Sequence, residues 1–130
     1  MTKKDRWILS EYLVARDRVF NFNDSLIYHQ QTTPYAELDL IFESAVVEPL
    51  KPDRKAGGGD PSRILTIIEV KSVSGEIWAG EVVSRKQTMR LERARWYVEL
   101  QARRRTKLIL ATVQARPEGA LIRYFEAPFS

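Results

Sequence analysis

The stretch ILTIIEVKS, residues 64–72, decides the fold. It is a nearly continuous β-branched run of the kind found in a strand that is covered on both faces of a sheet. Its charged residues come at the end, where strand alternation places Glu69 and Lys71 on one face and Val70 on the other. The run therefore predicts a buried strand that carries a carboxylate and an ammonium group near one end.

Two further strands and a helix are predicted ahead of this run. β-prone stretches cover residues 26–32 and 36–43, and a Thr-Pro-Tyr sequence at 33–35 separates them, which is typical of a hairpin. Residues 3–20 are predicted to form a helix because apolar residues recur there at spacings of three and four. Those residues are Ile8, Tyr12, Ala15 and Val19.

The connection between the hairpin and the central run is long. Residues 44–63 contain three prolines, scattered charges and the triplet Gly57-Gly58-Gly59, which favours a mobile segment. A phosphate-binding loop would need a Gly-Lys-Ser/Thr sequence followed by a helix, and both are missing. We therefore interpret these residues as a linker within the domain.

A second helix and two closing strands complete the chain. The helix is predicted over residues 84–104 with Ser84 as its N-cap, and strands are predicted at 107–114 and 120–125. Its inward stripe is predicted to be Leu91, Ala94, Val98 and Ala102, with Gln87 one turn earlier on the same stripe. The order αβββαββ predicts a single α/β domain over residues 1–130, in which helices pack against a sheet.

Composition excludes several kinds of chemistry. The chain has no cysteine and a single histidine, His29, so disulfides, thiol catalysis, thiolate zinc sites and histidine metal clusters are excluded. No run of about 18 apolar residues predicts a membrane helix, and the amino terminus lacks the features of a signal peptide. We expect a cytoplasmic protein that does not interact with membranes.

Positive charge is concentrated in one segment. The net charge of the chain is +4, yet residues 84–107 hold nine Lys/Arg against two Glu. This segment is a candidate phosphate-binding surface with little base specificity, although a solvated helix face is the alternative. The candidate nucleic-acid-binding residues are Arg85, Lys86, Arg90, Arg93, Arg103, Arg104, Arg105 and Lys107.

The same helix carries a second apolar stripe. Met89, Trp96 and Leu100 lie opposite the first stripe. We interpret them as core residues or as a homodimer contact rather than as a base-stacking platform.

A candidate metal site follows from pairing the second and third strands. Alternation puts Glu37 and Asp39 of the AELDLIF sequence on the less apolar face, so Asp39 can meet Glu69 if the strands pair. Two carboxylates, the Val70 carbonyl and several waters suit Mg²⁺ or Mn²⁺. Lys71 would orient or help deprotonate an attacking water. The alternative is a set of solvated strand-end residues or a surface ion pair.

The spacing Asp39-x29-Glu69-x-Lys71 resembles the pattern of the PD-(D/E)xK nuclease superfamily. The blocks AELDLIF, IIEVKS, SRKQTMRLERARWYV and LIRYFEAPF also resemble, in order, the blocks of the bacterial YraN-type family, which is itself similar to Holliday junction resolvases. The resemblance implies a restriction-endonuclease-like fold. It further implies that Asp39 and Glu69 bind the metal, with Glu11 as an additional carboxylate ligand from the first helix. Lys71 would be the catalytic lysine and Gln87 the helix glutamine beside the site.

The chain departs from the family pattern in places. Ser10 and Ala36 stand where the family has glycine before Glu11 and Glu37, and the 44–63 connection is longer than usual. A solvated helix glutamate is the alternative for Glu11. For Gln87 the alternative is a polar residue bonded to backbone between helix and sheet. Glu37 is expected to support the site rather than bind metal, and an exposed strand glutamate is the alternative.

The function expected from the sequence is metal-dependent hydrolysis of DNA phosphodiester bonds, with branched, Holliday junction-like DNA as a candidate substrate. A non-catalytic nucleic-acid-binding module with the same fold is the main alternative. A protein-interaction domain without affinity for nucleic acid is a third. These three hypotheses differ in whether the protein cuts DNA, only binds it, or does neither.

Overall fold

The computed structural model describes residues 2–45, 63–75 and 82–129. These residues form two helices and five strands in the order αβββαββ, as the sequence predicts. The elements are α1 (Lys3–Asn21), β1 (Ser25–Thr32), β2 (Glu37–Ala45), β3 (Arg63–Val73), α2 (Arg85–Ala102), β4 (Thr106–Arg116) and β5 (Gly119–Glu126). Most of the predicted connection at 44–63 lies outside the described residues. Its two ends, however, are parts of β2 and β3.

The five strands form one mixed sheet in sequence order. β1 pairs antiparallel with β2, β2 antiparallel with β3, β3 parallel with β4, and β4 antiparallel with β5. The parallel pair needs a crossover, and α2 lies in that connection. β3 is therefore the central strand, as its apolar run predicts.

The two helices cover opposite faces of the sheet. On one face Val14 of α1 packs in a cluster with Leu40, Phe42 and Ile68. On the other face Leu91 and Ala94 of α2 pack in a cluster of alternate strand residues that includes Ile67. Ile67 and Ile68 are both fully buried, which confirms that β3 is covered on both sides.

α1 is confirmed as a helix, but its apolar repeat is not its buried face. The helix begins with a capping box in which Thr2 and Asp5 satisfy each other's backbone N–H groups. Ile8, Tyr12 and Val19 are exposed. The face turned to the sheet instead comprises Ser10, Glu11, Val14 and Arg18. α1 thus combines the apolar contacts of Leu13, Val14 and Ala15 with several buried polar ones.

Polar contacts attach the carboxyl-terminal end of α1 to the rest of the fold. The Arg18 Nε donates to Asp24 Oδ2 at 2.7 Å, and both side chains are buried. The Arg18 guanidinium also lies 4.0 Å from the centre of the Phe22 ring. The Tyr124 hydroxyl of β5 donates to Asp17 Oδ2 at 2.6 Å. A buried charge that is paired in this way costs far less than an unpaired one, which explains why polar residues face the sheet here.

α2 matches its prediction closely. Ser84 is the N-cap and accepts a hydrogen bond from the Gln87 backbone N–H at 3.1 Å. Leu91 and Ala94 are buried, and Val98 and Ala102 pack against them in part. The helix ends at Arg103, which adopts a left-handed conformation with φ 53°.

The second apolar stripe of α2 is not part of the core. Met89, Trp96 and Leu100 are 51%, 58% and 56% exposed. The interpretation of these residues as core is therefore wrong, because the sheet contacts only the opposite side of the helix.

Neither helix of the described ranges combines the length and the apolar character that crossing a bilayer requires.

Candidate functional site

The candidate site begins where β2 and β3 stop pairing. The last residues in register at this end are Leu40 and Ile68. Just beyond this pair, the Val70 backbone N–H donates to the Asp39 side chain at Oδ2, 2.8 Å away. The Asp39 carboxylate thus takes the place of a strand carbonyl at the point where the two strands diverge, and this bond holds it in position.

Asp39 and Glu69 meet at this point, as the sequence predicts. The Glu69 carboxyl lies within hydrogen-bonding reach of Asp39, and Lys71 is close enough to both for its positive charge to lower their pKa values. Glu69 is only 7% exposed, whereas Asp39 and Lys71 are partly buried. The end of β3 therefore holds two carboxyl groups and an ammonium group in a confined space.

α1 adds a third carboxyl group. Glu11 is 8% exposed, which contradicts its interpretation as a solvated helix glutamate. Its Oε1 lies 3.7 Å from Nε2 of His29 in β1. Next to it, the Ser10 and Ser72 hydroxyl oxygens are 2.5 Å apart, a hydrogen bond between α1 and the end of β3. This link holds Glu11 beside the strand-end residues.

These residues surround one cavity of about 300 Å³. The lining comes from α1 and from three neighbouring strands. It comprises Ser10, Glu11, Gln30, Glu37, Asp39, Glu69, Val70, Lys71 and Ser72. The fold has therefore gathered into one place side chains that are up to 62 positions apart in sequence.

Burial and mutual repulsion favour the protonated forms of the three carboxyl groups. Burial raises the pKa of Glu69 to about 9, and the neighbouring Asp39 charge adds to the effect while Lys71 opposes it. Burial also raises the pKa of Asp39, against the lowering effect of the Val70 N–H. The pKa of Glu11 is raised by burial and by Asp39. A cation bound among these three carboxyl groups would therefore stabilise their ionised forms.

The donor set fits a hard divalent cation. One buried oxygen, Glu69 Oε2, has no hydrogen-bond partner, which is costly unless something binds it. The N–H and C=O groups of a strand residue point to the same side, so the Val70 carbonyl is directed toward Asp39. No group of three histidine, cysteine, aspartate or glutamate side chains in the described ranges could hold a metal as arranged. Asp39, Glu69 and the Val70 carbonyl suffice for Mg²⁺, which keeps several waters and uses one or two carboxylates.

Some predicted residues lie elsewhere, and some residues of the cavity were not predicted. Gln87 is in the first turn of α2 and is not among the described residues that line the cavity. Ser10, Gln30 and Ser72 line it without having been predicted to. Gln30 has a positive φ of 56°, a conformation that no local sequence signal marks. Ser10 and Ser72 are adjacent in sequence to the predicted site residues Glu11 and Lys71. The sequence offers no other indication that these serines line the site.

The basic segment is divided between the exposed side of α2 and the residues that lead from α2 into β4. Arg85 and Lys86 lie at the start of the helix and Arg103 at its end, about 27 Å away at 1.5 Å per residue. Arg104 Nη1 contacts Glu43 Oε2 at 3.1 Å, and Lys107 Nζ lies 3.4 Å from Glu126 Oε2. The eight candidate nucleic-acid-binding residues therefore do not form one surface.

A larger cavity of about 690 Å³ lies at the opposite end of the sheet. Two of its three described cations, Arg95 and Lys107, pair with Glu92 and Glu126, which also line it, whereas Nη1 of the third, Arg105, is buried without a hydrogen-bond partner. Apolar residues such as Ile64 and Leu108 form the rest of its wall. Its described lining lacks a group of neighbouring carboxylates, so the smaller cavity is the better candidate for chemistry.

No family model matches the chain, and no curated protein matches it significantly.

Proposed function

We propose that the protein is a metal-dependent endonuclease of the PD-(D/E)xK type, related to the YraN-type family. The observation that supports this most directly is the cavity in which Glu11, Asp39 and Glu69 meet Lys71 at the end of β3. A buried, partly unsatisfied carboxyl cluster is costly to maintain, and such costs are concentrated at functional sites. The five-stranded mixed sheet with α2 between β3 and β4 is compatible with the restriction-endonuclease-like fold that this proposal requires.

Asp39, Glu69 and the Val70 carbonyl would hold Mg²⁺ or Mn²⁺. When bound, the metal supplies charge that offsets the negative charge developing on the phosphodiester. The Val70 N–H keeps the Asp39 carboxylate oriented. Lys71 lies beside both acids, where it can orient or help deprotonate an attacking water. Glu11 enters from α1 and adds negative charge to the same cavity.

The proposed substrate is DNA, with branched DNA as a candidate, in the cytoplasm. The outer face of α2 supports binding to a polyanion. Glu92 and Glu99 are turned to the sheet side, where they bond Arg95 and Thr106, so the exposed residues of α2 include no carboxylate. The exposed cations of this helix and its C-cap are Arg85, Lys86, Arg90, Arg93 and Arg103.

A non-catalytic nucleic-acid-binding module is the second candidate function. The observation that favours it is that no three acidic or histidine side chains of the described residues are arranged to hold a metal. In that case α2 would bind nucleic acid and the carboxyl cluster would have no catalytic role.

Cleavage of end-labelled duplex, single-stranded and four-way-junction DNA in Mg²⁺ or Mn²⁺ tests the proposal. We expect metal-dependent cleavage by the native protein and a loss of about 10²-fold or more in Asp39→Asn, Glu69→Gln and Lys71→Met. Glu118→Gln, an exposed change in the β4–β5 turn, is the matched control and should cleave normally. Cleavage that survives Glu69→Gln would refute the assigned site. Binding without cleavage by any of these proteins would favour the second function.

A further inference from the structure

Cationic and apolar residues alternate along one exposed line of α2. Arg85, Met89, Arg93, Trp96 and Leu100 follow one another at spacings of four, four, three and four, which place residues one above another on a helix. All of them are exposed. At 1.5 Å per residue the line is about 22 Å long. We call these residues the outer row of α2.

Trp96 is the largest side chain of the outer row, and its ring is uncovered. It is 58% exposed. Within the described parts of the chain, its indole has no hydrogen bond and no contact with another ring. The ring of the next residue, Tyr97, is by contrast in edge contact with Tyr35. A flat aromatic surface is therefore available to a ligand in the outer row.

The charge around the outer row is positive. Lys86, Arg90 and Arg103 are also exposed, and the exposed residues of α2 include no carboxylate. Glu92 and Glu99 are bonded on the sheet side of the helix. A second copy of this face would bring like charges together, which opposes self-association through it. The charge instead complements a polyanion.

A single strand of DNA can make both kinds of contact that the outer row offers. A duplex presents phosphates and base edges to a protein, because its base faces are stacked on one another. The unpaired bases of a single strand can stack on an aromatic ring, while cations beside the ring bind the phosphates. Met89 and Leu100 extend the apolar contact on either side of Trp96. The outer row therefore suits unpaired nucleotides better than a continuous duplex.

An anionic lipid surface fits the outer row less well. Helices that lie on membranes have their apolar residues on one side and their cations on the other. In α2, Arg85 and Arg93 lie on the same line as Met89 and Trp96. The continuous apolar side of the helix, which includes Leu91, is packed in the core.

We propose that the outer row of α2 binds single-stranded DNA, with an unpaired base stacked on the Trp96 indole. Arg93 lies one turn before Trp96 and Arg103 two turns after it, so both can hold phosphates of the same strand. The choice of DNA as the polyanion rests on the proposed function, whereas metal binding and cleavage are not required. DNA with unpaired nucleotides, rather than fully paired DNA, would then be the substrate class.

Fluorescence anisotropy of labelled DNA in the presence of EDTA tests this binding without cleavage. The probes are an oligo(dT) of about 15 nucleotides and a duplex of the same length. We expect the native protein to bind the single strand about 10-fold more tightly than the duplex at the same salt concentration. Trp96→Ala should weaken binding of the single strand about 10-fold and of the duplex less than about 2-fold, because it removes one base stack. Trp96→Tyr should restore most of the lost affinity.

Phe20→Ala is the matched control, since Phe20 is an aromatic residue that is 78% exposed but lies on α1. It should bind both probes as the native protein does. Tryptophan fluorescence gives a second readout, because a stacked base quenches the indole. Oligo(dT) should quench the emission of the native protein, and Trp96→Phe, which retains Trp7 and Trp78, should lose most of that quenching. Circular dichroism should show native folding in each variant, since the substituted side chains are exposed.

Equal affinity of the native protein for the two probes, or no binding to either, would overturn the proposal. Single-strand binding that Trp96→Ala leaves unchanged would also overturn it, as would equally tight binding to vesicles of anionic lipid. A protein that gave these results and still cleaved DNA would leave the proposed nuclease function intact. Binding of oligo(dT) that depends on Trp96, in a protein that cleaves no DNA in Mg²⁺, would support the stacking site and count against the nuclease.

Discussion

At the scale of single residues, Glu69 links stability to metal binding. It is buried beside a second carboxyl group, and one of its oxygens has no hydrogen-bond partner. Ionising it places negative charge in a buried position beside Asp39, which the Lys71 ammonium offsets only in part. The buried negative charge of ionised Glu69 destabilises the metal-free protein, and the same charge would favour binding of a divalent cation.

The stability of the metal-free protein should therefore fall as the pH rises. The folded pKa of Glu69 is raised from 4.5 to about 9, so its contribution is fully present below about pH 4.5 and is lost as the pH rises toward 9. We expect a loss of roughly 1–3 kcal/mol in the free energy of unfolding across this range, measured by urea denaturation. Glu69→Gln should show a shallower dependence. Mg²⁺ should restore stability near pH 9 in the native protein but not in this variant.

Glu43→Gln is a suitable control for that measurement. Glu43 binds Arg104 and Arg63, and hydrogen bonding to Arg104 lowers its pKa. Its contribution is therefore complete above its usual pKa and falls only in acid. A Glu43→Gln protein that lost the decline of stability between about pH 5 and 9 would argue against Glu69 as its cause.

At the scale of elements, the sides of α2 differ in what they contact. Its inward side packs Leu91 and Ala94 into the core, whereas its carboxylates are bonded beside the sheet. Cations remain on the outer side. The charge count of the sequence does not separate cations that are paired within the protein from those that are available to a polyanion.

DNA binding should depend on the outward cations of α2 and not on the paired ones. Arg90→Gln with Arg93→Gln should reduce the slope of log K against log salt by about 2, since each phosphate contact contributes about 0.9. Arg104→Gln is the matched control, because Arg104 is held by Glu43. Fluorescence anisotropy over a salt series measures both slopes. If the Arg90→Gln/Arg93→Gln variant and the Arg104→Gln variant changed the salt slope equally, the binding surface would lie elsewhere.

At the scale of the whole molecule, the central sheet is stabilised by packing on both faces. α1 and α2 bury different sets of strand residues, and β3 contributes to both. Such a protein depends on each helix to keep the apolar strands from water. The exposed apolar residues of the two helices should contribute little to the folding of a single chain.

Two leucines of α2 test this distinction. Leu91 is 2% exposed and Leu100 is 56% exposed. Leu91→Ala should lower the free energy of unfolding by about 2–5 kcal/mol, because it leaves a cavity in the core. Leu100→Ala should change it by less than about 0.5 kcal/mol. Chemical denaturation of both variants measures the difference, and comparable losses would mean that Leu100 is covered in solution.

Much of the fold follows from local patterns. β3 follows from its β-branched run, the hairpin from two β-prone stretches around a turn, and α2 from its N-cap and apolar stripe. These signals are reliable because backbone geometry and hydrophobic periodicity act over a few residues. The buried face of α1 does not follow from local patterns. Arg18 and Ser10 are buried there because Asp24 and Ser72 form hydrogen bonds with them.

The sequence by itself determined the order of elements and the burial of β3 on both faces. Strand alternation also placed Asp39 where it can meet Glu69, on the condition that β2 and β3 pair. Only the tertiary structure decided that Glu11 is buried in the same cavity, that Gln87 is not part of its lining, and that the basic segment is divided. The physical reason is that burial, ion pairing and pKa depend on which distant groups come together. Local sequence carries no record of those contacts.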